Sequence, residues 1–233
     1  MMNTKRTIRI LYVEDDETIA FLTKDNLEMR GYSIEHVPDG QKALEIFKAG
    51  NFDLCLLDIM LPELDGYSLA GEIRKINPSV PLLFLTAKSM TEDKIRGFSL
   101  GGDDFITKPF SIDELVMRIE VFLKRSRIDV NGNQNLISLG SMRFDYSNQL
   151  LVINRKETHL TQRENELLYY LLKHADQLVK REDILKDIWG DDDYFLGRSL
   201  DVFISRLRKM LTGEPAIHIE NIHGVGFRVN TKK

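Results

Sequence analysis

The sequence DLCLLDIMLPELDG at residues 53–66 decides how the first half of the chain folds. Residues 54–57 form a short, unbroken apolar run, which is typical of a strand buried on both faces of a parallel sheet. Pro62 and Gly66 then interrupt the pattern and predict a turn. Asp58 therefore falls at the carboxyl end of a strand, the edge of an open α/β sheet where ligands bind. Taken alone, Asp58 could equally cap the following turn.

The same pattern recurs through the first 125 residues. Short apolar strands alternate with amphipathic helical segments, which predicts an α/β, doubly wound sheet of five parallel strands covered by helices on both sides. Ser111 and Glu114 form a capping box that predicts a helix with Leu115, Ile119 and Phe122 on one face. The predicted strands span residues 8–13, 32–37, 53–58, 80–86 and 103–107.

Polar side chains follow several of these strands where they end. In the strand order 2-1-3-4-5, the ends of strands 1, 3, 4 and 5 are neighbours and form one crevice. Carboxylates that meet there repel one another unless a cation lies between them, and oxygen ligands without His or Cys suit Mg²⁺. We expect this crevice to collect three carboxylates, a hydroxyl and an ammonium: Glu14, Asp15, Asp58, Thr86 and Lys108.

The predicted crevice suits phosphoryl chemistry. A bound Mg²⁺ would shield Asp58 from the neighbouring acids while Asp58 attacks a phosphoryl group as a nucleophile. Lys108 and Thr86 could then hold the phosphoryl oxygens. The alternative for Lys108 is a salt bridge to the acids that takes no part in chemistry.

The composition predicts a globular, cytoplasmic protein that makes no membrane contact. The chain has 233 residues and a net charge of −4, and its apolar runs are too short for a secretory leader or a membrane span. Cys55 lies inside an apolar strand and is expected to be a core residue. Residues 1–125 carry 16 Lys and Arg against 21 Asp and Glu, whereas residues 198–233 carry 7 against 3. A basic carboxyl end favours a polyanionic partner there.

A polar, turn-rich stretch at residues 126–136 is predicted to link two domains, at residues 1–125 and 137–233. In the second domain, Thr161 and Glu164 form another capping box and begin a helix. The other expected elements are strands at 142–145, 150–153 and 157–160, helices at 181–189 and 198–211, and a hairpin of strands at 217–222 and 227–229. Three helices followed by a hairpin predict an α+β winged helix-turn-helix.

The helix predicted at residues 198–211 has two contrasting faces. Its apolar side chains recur at helical spacing and must face the core: Leu200, Ile204, Leu207 and Leu211. The opposite face can contact phosphates, base edges and a thymine methyl in a major groove. It carries Arg198, Val202, Ser205, Arg206 and Lys209. Arg208 and Phe203 lie at the flanks, where each could equally pack within the domain.

Together, the motifs of residues 8–125 resemble the receiver domain of two-component response regulators. The matching stretches are LYVEDD at 11–16, LDIMLP at 57–62, LTA at 85–87 and GDDFITKPF at 102–110. The resemblance implies that Asp58 accepts phosphate from a histidine of a sensor kinase, forming an aspartylphosphate. It also implies that Lys108 and Thr86 contact the phosphoryl group, and that Mg²⁺ is held by Glu14, Asp15, Asp58 and the Met60 carbonyl.

In this family, the phosphoryl group moves a hydroxyl residue inward and an aromatic residue follows. The resemblance assigns these switch roles to Thr86 and Phe105. The aromatic residue is commonly tyrosine, whereas Phe105 has no hydroxyl to hydrogen-bond. The alternative is that Phe105 is a plain core aromatic.

The second half resembles the DNA-binding domain of the OmpR/PhoB subgroup. The resemblance implies that helix 198–211 enters the major groove of promoter DNA, that a wing carrying His223 reaches the minor groove, and that loop 190–197 contacts RNA polymerase. It also implies a homodimer of receivers that pack on the fifth strand and its flanking helices. The expected interface residues are Lys94, Asp103, Asp104, Glu114 and Arg118, with salt bridges from Lys94 to Glu114 and from Asp104 to Arg118.

Two other functions are compatible with parts of the pattern. One is a DNA-binding regulator whose receiver dimerises constitutively and never uses phosphate. The other is an enzyme, an aspartyl-nucleophile phosphohydrolase, which needs a second acid two residues after Asp58. Position 60 is methionine, so we expect the protein not to be an enzyme.

Overall fold

The computed structural model describes residues 6–87, 97–98, 100–125, 135–190 and 194–231. The chain divides into two compact units, with the boundary between residues 127 and 128. Each unit has its own sheets and helices. Within the described residues, no helix has the length and apolar character needed to cross a bilayer.

The first unit contains a five-stranded parallel sheet in the order β2-β1-β3-β4-β5, which confirms the predicted fold. The central strands β3 and β4 are buried at every position, because helices cover both faces of such a sheet. The strands are β1 (Arg9–Val13), β2 (Ser33–Val37), β3 (Leu54–Asp58), β4 (Leu82–Thr86) and β5 (Asp104–Thr107). The helices are α1 (Glu17–Met29), α2 (Gly40–Ala49), α3 (Gly66–Ile76) and α4 (Ile112–Arg125).

Aspartates begin three of these helices. Asp16, Asp39 and Asp65 accept backbone N–H groups at the starts of α1, α2 and α3, because the first turn of a helix leaves amides without partners. The predicted box at α4 forms in part: Ser111 Oγ accepts from the amide of Glu114 at 3.1 Å. The predicted inner face of α4 is fully buried at Leu115, Ile119 and Phe122.

The second unit contains a four-stranded antiparallel sheet, three helices among its described residues, and a three-stranded sheet in the order β10-β12-β11. The first sheet comprises β6 (Leu136–Leu139), β7 (Met142–Asp145), β8 (Leu150–Ile153) and β9 (Lys156–His159). The remaining elements are α5 (Gln162–Lys173), β10 (Leu178–Lys180), α6 (Arg181–Trp189), α7 (Tyr194–Met210), β11 (Ile217–Ile222) and β12 (Gly226–Thr231). This arrangement confirms the winged helix-turn-helix.

Three details of the second unit differ from the prediction. Helix α7 begins at Tyr194 and not at residue 198, so residues 194–197 of the predicted loop are helical. Strands β6 and β10 were not predicted as separate strands. Both are short edge strands whose stability comes from pairing with β7 and β12, and such strands carry little periodicity of their own.

Candidate functional site

Four of the five polar side chains predicted to meet at the carboxyl edge of the first sheet do so: Glu14, Asp15, Asp58 and Lys108. Lys108 Nζ lies 2.6 Å from Asp58 Oδ2 and 2.5 Å from Glu14 Oε2. The carboxylates of Glu14, Asp15 and Asp58 each offer an oxygen, and these oxygens lie within 4.8 Å of one another. Glu14 and Asp58 are buried, whereas Asp15 is exposed. The pocket is therefore open to solvent on the side of Asp15.

Backbone geometry holds the pocket in place. Asp58 is the last residue of β3, and its Oδ1 accepts from the amide of Met60 at 3.0 Å. The Lys108 amide donates to the carbonyl of Thr86 at 2.7 Å, which ties the segment after β5 to the end of β4. Asp16, the third acid of the motif, accepts amides at the start of α1. Asp16 is a helix cap. Among the described residues, the acid cluster therefore consists of Glu14, Asp15 and Asp58.

Burial and neighbouring charges shift the pKa values of Glu14 and Lys108. Burial raises the pKa of Glu14 above its ordinary value, and the nearby Asp58 adds to this, although Lys108 acts in the opposite direction. Burial alone would lower the pKa of Lys108, but its hydrogen bonds to Asp58 and Glu14 outweigh burial and raise it. Lys108 is therefore held as an ammonium between two carboxylates.

The donor set suits a hard divalent cation. Three carboxylates converge, and neither histidine nor cysteine contributes to the cluster, which is the ligand chemistry that Mg²⁺ prefers. An exposed carboxylate on one side leaves room for the waters and phosphate oxygens that Mg²⁺ retains. The side chain of Met60 is exposed. Met60 can therefore contribute only its backbone carbonyl as a ligand.

The predicted switch residues both point inward. Thr86 is 1% exposed and Phe105 is 7% exposed. The Phe105 ring stacks on Phe84 at a centroid distance of 4.9 Å and meets Phe98 edge-on at 4.7 Å. A Cβ on Gly97 would come within 2.3 Å of the Phe105 ring, so glycine at position 97 makes room for the aromatic side chain.

The described residues of the predicted dimer interface form ion pairs within one chain. Arg118 Nη1 lies 3.1 Å from Asp104 Oδ2, and Arg118 Nε lies 3.5 Å from Glu114 Oε1. Asp103 is fully buried and accepts from Arg74 Nη2 at 2.6 Å and from the Leu82 amide at 2.9 Å, and its place in a dimer interface stays a prediction. Lys94 lies outside the described residues.

The second unit presents the outer face of α7. Ser205 and Lys209 are exposed, and Val202 is half-buried. Arg206 Nη2 lies 2.8 Å from Glu164 Oε1 of α5. Arg198 lies in α7, but its side chain is not among those described. This face can present a hydroxyl, a methyl-bearing side chain and an ammonium to a groove.

The two flanking residues of α7 pack within the unit. Phe203 is fully buried and lies 5.6 Å from Trp189 between ring centroids. Arg208 donates from Nε and Nη2 to the carbonyl of Ile219, at 3.0 and 2.9 Å. His223 is exposed in the turn between β11 and β12, next to Gly224 with a φ of +71°.

Some residues that shape the two units were not singled out from the sequence. Arg74 donates to the carbonyls of Pro78, Val80 and Gly101 and thereby joins α3 to the loop before β5. Glu214 accepts from four donors around the first sheet of the second unit. Neither residue belongs to a periodic pattern or a motif, so no local signal distinguishes it from a solvated charge.

Known proteins resemble both units. A family described as "Response regulator receiver domain" matches residues 10–120, and one described as "Transcriptional regulatory protein, C terminal" matches residues 155–229. The transcriptional regulatory protein RprY of Bacteroides fragilis is 45% identical over 99% of this chain and 98% of its own length. DltR of Streptococcus agalactiae, also a transcriptional regulatory protein, is 36% identical over 97% and 100%.

A solved structure agrees with these relatives. The response regulator DrrB, an OmpR/PhoB homologue from Thermotoga maritima, matches with a TM-score of 0.52 at 28% identity, covering 96% of this chain and 99% of its own. The chain therefore belongs to the OmpR/PhoB subfamily of two-component response regulators, and it is a DNA-binding transcription regulator with an amino-terminal receiver domain and a carboxyl-terminal winged-helix domain.

Proposed function

We propose that Asp58 is the phosphoacceptor of this regulator and that a histidine of a sensor kinase is the donor. The observation that carries this proposal is the position of Asp58: it ends the central strand β3, lies 2.6 Å from Lys108 Nζ, and shares a cluster with Glu14 and Asp15. A nucleophilic carboxylate needs a cation beside it as phosphoryl charge develops, and Lys108 supplies one.

The transfer consists of one bond made and one broken. A carboxylate oxygen of Asp58 attacks phosphorus, and the bond between phosphorus and the donor imidazole nitrogen breaks. The second ring nitrogen of the donor carries a proton during the transfer, so the imidazole that leaves with the electron pair of the broken bond is neutral histidine. When bound by Glu14, Asp15, Asp58 and the Met60 carbonyl, Mg²⁺ supplies charge neutralisation for the phosphoryl oxygens. Lys108 then turns to a phosphoryl oxygen, since its ammonium is a point charge on a flexible stem.

The same residues connect phosphorylation to DNA. We infer that a phosphoryl group on Asp58 draws the Thr86 hydroxyl toward it and that the ring of Phe105 follows, which shifts the population of receiver conformations. The shifted form pairs with a second copy through a face that includes Asp104, Glu114, Arg118 and Lys94. Two linked α7 helices then bind two half-sites with more affinity than one.

The DNA surface comprises the outer side of α7 and the wing. We assign phosphate and base-edge contacts to Arg198, Val202, Ser205, Arg206, Lys209 and Arg208, and a minor-groove contact to His223. Arg206 is held by Glu164, and Arg208 is held by the carbonyl of Ile219. Each would contact DNA from that position. Loop 190–193 with the start of α7 is the proposed contact for RNA polymerase. The proposed location of the protein is the cytoplasm, where such a kinase and DNA meet.

The proposal is tested by phosphorylation of the full chain. Wild type, Asp58→Asn and the matched control Asp25→Asn, an exposed aspartate of α1, are incubated with phosphoramidate and MgCl₂. We expect intact-mass analysis to show one added phosphoryl group on wild type and Asp25→Asn and none on Asp58→Asn. Equal phosphorylation of Asp58→Asn would contradict the assignment.

The DNA arm uses the same three proteins with a pool of random duplexes. Phosphorylated wild type is expected to retain a sequence-specific subset, and Asp58→Asn to retain it only at higher protein concentration. Equal retention with and without phosphodonor would instead favour a constitutive regulator. Phosphate release from an added phosphate ester is not expected, because Met60 stands where a leaving-group acid would be needed.

A further inference from the structure

The hydroxyl of Tyr12 is a buried polar group that the proposed chemistry does not use. Tyr12 is the fourth of the five residues of β1 and is fully buried. Burying a hydroxyl costs free energy unless it is hydrogen-bonded. This one donates to Glu14 Oε2 at 3.4 Å.

Tyr12 is the donor in this hydrogen bond. An ionised carboxylate carries no donor, and a phenol keeps its proton at neutral pH because its ordinary pKa is about 10. The phenol therefore donates to the Glu14 carboxylate at the edge of the sheet.

Glu14 Oε1 accepts from the Asp16 amide at 3.4 Å, so the donors to Oε2 decide how the rest of the carboxylate is held. Its backbone is fixed on both sides, because its amide donates to the Val37 carbonyl at 3.1 Å and its carbonyl lies 2.9 Å from His36 Nε2. Its Oε2 atom has two side-chain donors, Lys108 at 2.5 Å and Tyr12 at 3.4 Å. The long bond from Tyr12 is as expected when an ammonium already occupies the same oxygen.

We propose that Tyr12 is a positioning residue for the magnesium site: its phenol holds the Glu14 carboxylate toward the cation in the unphosphorylated receiver, beside Lys108, and remains on Glu14 when Lys108 turns away to the phosphoryl group. The inference rests on the proposed function, because Lys108 leaves Glu14 only when Asp58 is phosphorylated. The ammonium has three hydrogens to share among Glu14, Asp58 and the phosphoryl oxygens. Once it moves, the phenol is the donor that stays on Oε2.

The chemistry of the position supports this role. An aliphatic residue would fill the core of β1 as well as Tyr12 does, but it could not restrain a carboxylate. Groups that hydrogen-bond to metal ligands orient them, and their loss typically costs about 10–100-fold in metal affinity. Because the bond from Tyr12 is long in this structure, we expect the lower end of that range.

The test measures Mg²⁺ affinity in the full chain without any phosphodonor. Wild type, Tyr12→Phe and the control Tyr32→Phe are melted by scanning calorimetry across a MgCl₂ titration, since a ligand raises the melting temperature according to its dissociation constant. Tyr32 packs against the same core and precedes Ser33, which pairs with Arg9 at the end of the sheet opposite the acid cluster.

We expect Tyr12→Phe to bind Mg²⁺ about tenfold more weakly and Tyr32→Phe to match wild type. With phosphoramidate, Tyr12→Phe should need more MgCl₂ for half-maximal phosphorylation and reach the wild-type plateau at saturation. In a Lys108→Met background the tenfold effect of Tyr12→Phe should persist, because Tyr12 acts when Lys108 is gone.

Two results would overturn the inference, and they are distinguishable. If Tyr12→Phe lowers the melting temperature equally at every MgCl₂ concentration while its Mg²⁺ affinity equals that of wild type, Tyr12 only stabilises the fold. The proposed function then stands, provided that wild type is phosphorylated. If neither wild type nor Glu14→Gln responds to MgCl₂ and wild type takes up no phosphate, the proposed function fails and this inference fails with it.

Discussion

Arg206 of α7 pairs with Glu164 of α5, with Nη2 and Oε1 2.8 Å apart. Glu164 is the capping-box acid of α5, and its other oxygen accepts from the Thr161 amide at 2.8 Å. The carboxylate is 1% exposed. One buried acid therefore fixes the start of α5 and anchors the helix proposed to enter DNA.

This pair predicts that Arg206→Ala destabilises the second unit. Removal of the guanidinium leaves Glu164 buried with one partner fewer, which typically costs about 1–3 kcal/mol of unfolding free energy. Urea unfolding followed by fluorescence measures this directly, because Trp189 is the only tryptophan of the chain and lies in the second unit.

Lys209→Ala is the matched control for this prediction, since Lys209 is exposed on the same helix. In a Glu164→Gln background the cost of Arg206→Ala should shrink. If Arg206 also reads a base, its removal should weaken binding at one base-pair position by about 1–3 kcal/mol. Unchanged stability of Arg206→Ala would show that the ion pair contributes nothing.

Periodicity predicted the sheet and the acid pocket because both follow from local signals. Each apolar strand ends in a polar residue, and parallel strands place those ends at one edge. The order of strands and the meeting of Glu14, Asp58 and Lys108 are confirmed. The inner face of α7 is confirmed for the same reason, since Leu200, Leu207 and their neighbours recur at helical spacing.

What the sequence could not predict depends on contacts between distant residues. The spacing of α7 places Arg206 on an outer face, but it cannot reveal that Glu164, 42 residues earlier, occupies its guanidinium. In the same way, nothing near Asp103 distinguishes a surface acid from one buried against Arg74. Polar networks form between elements, so they become visible only when the elements are assembled.

Glu214 predicts how the second unit responds to acid. Its carboxylate accepts from Ser141 Oγ at 2.7 Å and from the amides of Ser141, Met142 and Ala216 at 2.5, 3.1 and 2.9 Å. The hydrogen bond from the Ser141 side chain, followed by that from the Ala216 amide, lowers the pKa of Glu214 below its ordinary value of 4.5. The folded state therefore binds this proton less tightly than the unfolded state does.

The stability that Glu214 provides is present above pH 4.5 and is lost as the pH falls through its lowered pKa. We expect Glu214→Gln to cost about 1–3 kcal/mol at pH 7 and nothing at a pH where Glu214 is protonated. Trp189 fluorescence in urea from pH 7 to pH 3 measures the difference. Glu157→Gln, at an exposed position of β9, should follow wild type at every pH, and a cost of Glu214→Gln that is independent of pH would contradict the prediction.

Arg118 predicts a test that separates pairing within a chain from pairing between chains. Within one chain, Arg118 forms ion pairs with Asp104 and Glu114. In the proposed dimer, Arg118 must instead pair with Asp104 of a second copy. Arg118→Glu and Asp104→Arg each place like charges opposite one another in a homodimer, so neither variant should dimerise after phosphorylation.

Mixing the two variants should restore the dimer. The interface of a two-fold dimer contains this salt bridge twice. In the mixed dimer, one of the two pairs joins the new glutamate to the new arginine, and the other joins the original Asp104 to the original Arg118. Sedimentation of the phosphorylated mixture is expected to show dimer where each variant alone shows monomer. Failure of the mixture to dimerise, with each variant folded and phosphorylated, would place these salt bridges inside the chain only.

Two glycines of α3 provide a matched pair for the acid pocket. A Cβ on Gly66 would lie 2.0 Å from the carbonyl oxygen of Asp58, whereas a Cβ on Gly71 would meet nothing within 4 Å. Gly66→Ala must therefore push α3 away from the end of β3, and such overpacking typically costs about 1–3 kcal/mol. Gly71→Ala should instead raise the unfolding free energy by about 0.5–1 kcal/mol, because alanine restricts the unfolded chain and favours helix.

The same contrast should appear in phosphorylation. The displaced backbone carries Asp58 with it, so we expect Gly66→Ala to slow phosphate uptake from phosphoramidate at least tenfold, since small misplacements of a reacting group cost large rate factors. Gly71→Ala should react at the wild-type rate. Calorimetric melting and intact-mass time courses of both variants measure the two effects together. Wild-type rates in a folded Gly66→Ala chain would mean that the end of β3 tolerates movement and that the position of Asp58 is set by Lys108 and not by the packing of α3.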